Sequence, residues 1–163
     1  MTRTLAAACL LLSALALSAC DRADTDAPPS LHLDDDICAE CGMIISDERF
    51  ASAAITEDDA GRATTLLFDD LNCMASHEVM NPELRIRRRW VHDHSTRAWI
   101  DANGATYLCS PNLQTPMASH VAAFDKRQGA DALHKALDGD IRTFDTIWAS
   151  LSLNGGCLEH PAP

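Results

Sequence analysis

The chain has 163 residues, 47% of them hydrophobic and 23% charged, with a formal net charge of −11. That is enough for one domain with a core of its own and too little for two large ones. The acidic balance argues against nucleic acid as a partner, because phosphate binding needs clustered Lys and Arg, and aromatics at 5% leave the core to Leu, Ile, Ala and Val.

The N-terminus reads as a secretory signal. Arg3 precedes an apolar run from Leu5 to Leu17, broken only by Ser13. The run is short for a membrane span, and no second one follows. It ends in Leu17-Ser18-Ala19-Cys20, which resembles a bacterial lipobox. That implies a signal peptide over residues 1–19, cleavage before Cys20, and lipid on the Cys20 thiol. The expected location is the periplasm, anchored to a bacterial membrane through that lipid. Residues 20–36 carry two prolines and many acids, and read as a flexible acidic tether. The domain then covers residues 37–157, with 158–163 as a disordered tail.

Phe50–Thr56 reads as a strand and Ala63–Phe68 as a second, joined by the turn residues Asp58-Asp59-Ala60-Gly61. Asp69 and Asp70 can cap a helix running to about Met80, with Leu71, Met74, Ala75 and Val79 on one face and Pro82 stopping it. Met74 and Met80 are expected in the core. Ile86–His92 is a strand. Arg97–Asp101 and Ala105–Leu108 are expected to form a hairpin around Ala102-Asn103-Gly104. Ser110–Ser119 is a loop, Val121–Phe124 a short strand, Gly129–Leu137 a helix ended near Gly139, and Phe144–Leu153 a last helix ended by Asn154-Gly155-Gly156. The order strand–strand–helix–strand fits twice, which suggests an α+β fold with small antiparallel sheets.

Once Cys9 leaves with the signal and Cys20 is lipidated, Cys38, Cys41, Cys73, Cys109 and Cys157 remain. Five is odd, so at least one thiol stays free, binds something or pairs outside the chain. Cys73, Cys109 and Cys157 can supply a disulfide, but their spacing does not say which two.

The chemistry concentrates in Cys38-Ala39-Glu40-Cys41-Gly42-Met43. Cys-x-x-Cys puts two sulfurs on one turn, Gly42 permits a tight bend, and Met43 adds a thioether two residues from Cys41. Thiolate and thioether together form a soft donor set that selects Cu(I), and two or three such ligands satisfy that ion. A second thioether, Met117, lies in the loop Thr115-Pro116-Met117-Ala118-Ser119-His120. Two other readings compete. A zinc knuckle also opens with Cys-x-x-Cys-Gly, but no second Cys-x-x-Cys closes it. A redox pair needs a thiolate, which the preceding Asp34, Asp35 and Asp36 are expected to disfavour. His92 and His94 sit at strand spacing, more fitting for an exposed polar face than for a metal pair. Arg87-Arg88-Arg89 reads as a solvated strand end rather than a lipid-headgroup contact.

Several segments, taken in order, resemble the NosL family of copper-chaperone lipoproteins. They are the lipobox ending at Cys20, CAECGM at 38–43, ERFA around Phe50, FDDLNCM at 68–74, AWIDANGATYL at 98–108, and TPM and VAAF within 115–124. The resemblance implies two strand-strand-helix-strand units, a fold similar to that of organomercurial lyase. It implies one Cu(I) held by Cys41, Met43 and Met117. It also implies delivery to the maturation machinery of nitrous oxide reductase, an ABC transporter complex with a periplasmic subunit. His120 is an additional candidate ligand. Cys38 stays open as ligand, redox partner of Cys41 or bystander. The family's Pro-Met is often followed by Gly; here Ala118 stands there, which puts that loop's geometry in question. The fold likeness also raises an enzyme reading, carbon–mercury cleavage by Cys38 and Cys41 with Glu40 or Asp36 as the acid. The expectation is a binding protein and not an enzyme.

Overall fold

The structure, a computed structural model, describes residues 26–158. The expected signal peptide over residues 1–19, the expected lipid site Cys20 and residues 159–163 lie outside the described residues. In chain order the elements are β1 (Ser52–Glu57), β2 (Ala63–Phe68), α1 (Leu71–Met80), β3 (Arg85–His92), β4 (Trp99–Asp101), a 3-10 turn (Ala102–Gly104), β5 (Thr106–Cys109), β6 (Val121–Phe124), α2 (Arg127–Leu137), β7 (Asp140–Thr143) and α3 (Phe144–Asn154). They form two antiparallel sheets, ordered β2-β1-β3-β4 and β6-β5-β7. The strand–strand–helix–strand unit therefore occurs twice, as β1-β2-α1-β3 and as β5-β6-α2-β7.

Ser52, Ala53 and Ala54 are small, and β1 occupies the middle of its sheet with nearly every residue buried. Phe68, at the end of β2, is fully buried, a contribution of about 2 kcal/mol for a side chain of its size. It belongs to a core shared with Met74, Tyr107, Ile147 and Leu151, drawn from both units. A smaller cluster of Phe50, Leu108, Leu113, Phe124 and Ala130 lies beside α2.

Helix α1 buries Leu71, Cys73, Met74 and Ala75. Met80, expected in the core, is 71% exposed, and Val79 is exposed as well. Six residues advance roughly 240° around a helix, so Met80 cannot share the face of Met74.

The expected hairpin over Arg97–Leu108 does not form. β4 pairs with β3 in the first sheet, whereas β5 is the central strand of the second. Asp101 Oδ1 accepts from the backbone of Asn103 (2.8 Å) and Gly104 (3.3 Å), closing a 3-10 turn. A two-residue type I′ turn needs positive φ at both central residues, and neither Asn103 nor Gly104 has it. The Tyr107 hydroxyl donates to Ala102 O (2.7 Å) and fixes the crossing between sheets.

Strand β7 has no counterpart in the sequence expectations. Asp-Ile-Arg-Thr is short and has no apolar run, with only Ile141 and Thr143 as β-branched residues, and backbone pairing to β5 defines it. Gly139 makes its entry work: φ is +115°, and a Cβ there would stand 2.2 Å from Cys109 O. The disulfide joins Cys109, at the end of β5, to Cys157 beyond α3. Cys38, Cys41 and Cys73 are free thiols.

From Asp26 onward the stretch read as tether lies along the domain. The Trp90 indole N–H donates to Asp26 O (3.1 Å), Leu31 packs on the core, and Asp34 N donates to Ile45 O (2.9 Å). The arginine run is neutralised within the chain: Arg87 pairs with Asp26 and Glu57, Arg88 with Asp101, and Arg89 with Glu78.

The two histidines of β3 and its exit are not an exposed polar face. His92 is buried, its ring stacked on Trp99 at 3.7 Å. His94 sits between the rings of Phe50 and Phe124 at 5.6 and 5.7 Å. Burial holds both imidazoles below their ordinary value of 6.5. The unfolded chain takes up protons near 6.5 while the folded chain does so only at lower pH. Stability is therefore lost as pH falls below 6.5 toward the folded-state values. Thermal melts across that window are expected to show a falling Tm, with a shallower slope in a His92→Gln/His94→Gln variant.

Candidate metal centre

Residues 37–44 close a tight loop. Ile37 bridges Ile44, Cys38 N donates to Met43 O (2.8 Å), and Gly42 N donates to Cys38 O (3.0 Å). Gly42 takes φ +73°, the left-handed conformation that glycine adopts without steric cost. Ala39 N donates to Leu67 O (2.8 Å) and ties the loop to β2. The turn sends Cys38 inward at 1% exposure, leaves Cys41 half-buried, and puts Met43 outside at 55%.

The start of α1 supplies the opposite wall. Asp69 and Cys73 are four residues apart and lie on one face of the helix entry. The sulfurs of Cys38, Cys41 and Cys73 and a carboxylate oxygen of Asp69 all lie within 4.8 Å of one another. The thiols of Cys73 (3.3 Å) and Cys41 (3.9 Å) donate to Asp69 Oδ1. The expectation that nearby acids would disfavour a thiolate does not hold at Cys38. The side-chain hydrogen bond from Cys73 outweighs burial, and with backbone donors of the loop and Asp69 it brings Cys38 down to about 4. Cys73, whose single S–H is shared between Cys38 and Asp69, is pushed up, and Cys41 is pushed up chiefly by burial. Burial also raises Asp69.

Asp70 brings in the third segment. Its carboxylate is fully buried, and Oδ2 accepts from Thr115 Oγ1 (2.7 Å), Met117 N (2.9 Å) and Ser119 N (3.3 Å). Asn72 Nδ2 donates to Met117 O (3.3 Å). The first turn of α1 thus grips the loop on both sides of Met117. The result is a cavity of about 220 Å³ lined by Glu40, Cys41, Asn72, Cys73, Ser76 and Met117. Met43 lines a separate hollow together with Asp69, Thr115 and Pro116. Of the three sulfurs expected as ligands, Cys41 and Met117 share one cavity, and Met43 stands at another.

His120 lies apart from this cavity. Its Nδ1 donates to Leu113 O (2.7 Å). Glu40, the acid of the enzyme reading, is engaged by the Ser76 hydroxyl (2.8 Å) and by His77 Nδ1 (2.9 Å). Asp36 accepts from His32 N (2.7 Å) in an exposed turn. The cluster members that sequence reasoning did not place are Asp69 and Cys73. Their i,i+4 spacing, beside an odd count of cysteines, was the available signal.

The NosL family profile matches residues 30–152. The chain belongs to the NosL family. It is similar to the copper-binding lipoprotein NosL of Stutzerimonas stutzeri, at 27% identity over 143 residues, which covers 82% of this chain and 72% of that protein. Among solved structures it is similar to the copper chaperone NosL from Shewanella denitrificans. The TM-score is 0.58 at 20% identity, over 72% of this chain and 96% of that one, and the likeness establishes a shared NosL fold. Both relatives are named for copper binding or copper transfer and not for catalysis.

The NosL resemblance put the geometry at Ala118 in question, and the structure answers it. Ala118 takes φ +56°, where glycine is favoured. Left-handed backbone costs an L-residue roughly 1–2 kcal/mol, and glycine's extra unfolded-state freedom cancels about half of that. Ala118→Gly is therefore expected to raise stability by about 0.5 kcal/mol, read as a higher denaturation midpoint at unchanged slope.

Proposed function

We propose that this chain is a lipid-anchored periplasmic copper chaperone. Cys20 carries the lipid, and one Cu(I) is carried as cargo by the sulfurs of Cys41, Met43 and Met117. The observation that carries the reading is the shared cavity of Cys41 and Met117, two soft donors from segments far apart in sequence. Cu(I) accepts two or three sulfur ligands, and thioethers are poor ligands for harder ions. A half-buried thiol at a cavity mouth, beside an exposed thioether, lets an incoming sulfur join before a resident one leaves. That is the requirement for transfer by ligand exchange. The acceptor in this reading is the maturation machinery of nitrous oxide reductase, an ABC transporter complex and its periplasmic subunit.

The reading is tested by anaerobic Cu(I) titration against a competing chelator. Cys41→Ser, Met43→Leu and Met117→Leu are each expected to weaken binding at least tenfold, about 1.4 kcal/mol. Met80→Leu, on the far exposed end of α1, leaves affinity unchanged. Unaltered affinity in all three site variants would remove the assignment.

A further inference from the structure

The outer site uses only Cys41 of the three clustered cysteines and leaves the other two without a role. Cys38 and Cys73 are buried free thiols, and their sulfurs lie within 4.8 Å of each other and of Cys41. They are not sealed away from the cargo. Cys73 lines the same cavity as Cys41 and Met117, and the Cys38 sulfur lies within 4.8 Å of both cysteines. Two sulfurs are a complete set for Cu(I), and Cys41 is within reach as a third. Asp69 is a hard donor and serves here as acceptor for the Cys73 and Cys41 thiols. Cys38 and Cys73 also pack in the core, but core packing alone does not require three thiols and a carboxylate to converge within 4.8 Å.

We propose that Cys38 and Cys73 form a second, inner Cu(I) site behind the first. Cys41 is shared between the two, so the chain has capacity for two copper ions. The inference deepens the reading above and rests on it only for the outer ion. Loading forms Cu–S bonds and releases the proton of each cysteine that enters as a thiol; copper stays monovalent throughout.

The experiment is native mass spectrometry of the mature chain with its Cys109–Cys157 disulfide intact and Cys38, Cys41 and Cys73 as free thiols, saturated anaerobically with Cu(I). Two coppers per chain are expected for the wild type, one for Cys38→Ser and one for Cys73→Ser. The wild-type count is decisive even if a serine variant folds poorly, and circular dichroism reports on that directly. A wild type that saturates at one copper, or a Cys73→Ser chain that keeps two, overturns the inner site. A single Zn²⁺ that occupies the cluster and resists displacement by Cu(I) overturns it in favour of a closed zinc centre. The Met43→Leu/Met117→Leu chain separates the two readings. One copper retained there supports both sites, whereas two retained sinks the outer assignment and leaves the inner one standing.

Discussion

Asp70→Ala is expected to cost about 4 kcal/mol of stability and to release the Met117 loop from α1. Asp70 is fully buried, and its Oδ2 alone accepts from Thr115, Met117 and Ser119. Alanine leaves the Met117 and Ser119 amides without this acceptor, at roughly 1–3 kcal/mol each and partly relieved as the loop opens to water, while the Thr115 hydroxyl can turn to Ser119 Oγ (3.1 Å). It also removes the N-cap of α1, where Oδ1 accepts from Asn72 N (3.4 Å), a further loss of about 1 kcal/mol. Asp70→Asn keeps shape and one acceptor, and is expected to lose about half as much. Urea unfolding measures the loss. Copper affinity should fall with it, at least tenfold, because Met117 no longer faces Cys41. A loss under about 1 kcal/mol, well below the cost of a single orphaned donor set, contradicts the clamp.

Removing the disulfide is expected to have an effect of similar size by a different route. Cys109 and Cys157 are separated by 48 positions, and the bond ties the central strand of the second sheet to the chain end beyond α3. Closing a loop of that length restricts the unfolded chain by about 4 kcal/mol in the loop-entropy account. Both half-cystines are buried, so a Cys109→Ala/Cys157→Ala chain is also less well packed. The expected result is an unfolding free energy lowered by about 4 kcal/mol, with far-UV circular dichroism retained below the transition. Copper affinity is expected to fall less than in Asp70→Ala, because Asp70 still holds the Met117 loop from α1, although Cys157 N also donates to that loop at Ser119 O (3.4 Å). A double variant as stable as the wild type contradicts the account.

The elements legible in the sequence were those with their own periodicity or caps. β2 and β6 match their expected bounds, and α1 starts at its Asp70 cap. β1 starts two residues later than expected, because Phe50 and Ala51 belong to the turn that enters it. What was illegible depended on tertiary pairing. β7 is a strand only because β5 is beside it. Asn-Gly after β4 reads as a hairpin turn, yet Asp101 caps it as a 3-10 turn and sends the chain to the second sheet. At the site, Cys41, Gly42 and Met43 announced themselves by spacing. Cys73 and Asp69 did not, since only the packing of α1 against the 38–43 loop brings them to Cys38. The Met117 loop shows the same limit: nothing local to residues 115–119 reveals that Asp70 holds it.

Methyl-selective NMR of methionine-labelled protein tests the central claim most directly, that thioethers from two separate segments meet at one copper ion. Met80 projects into solvent and serves as the internal control. As Cu(I) is added to saturation, the Met43 and Met117 methyl signals are predicted to shift together and saturate together, with the exposed Met80 unmoved. Shifts confined to one of the two thioethers, or absent from both at full copper loading, would contradict the account.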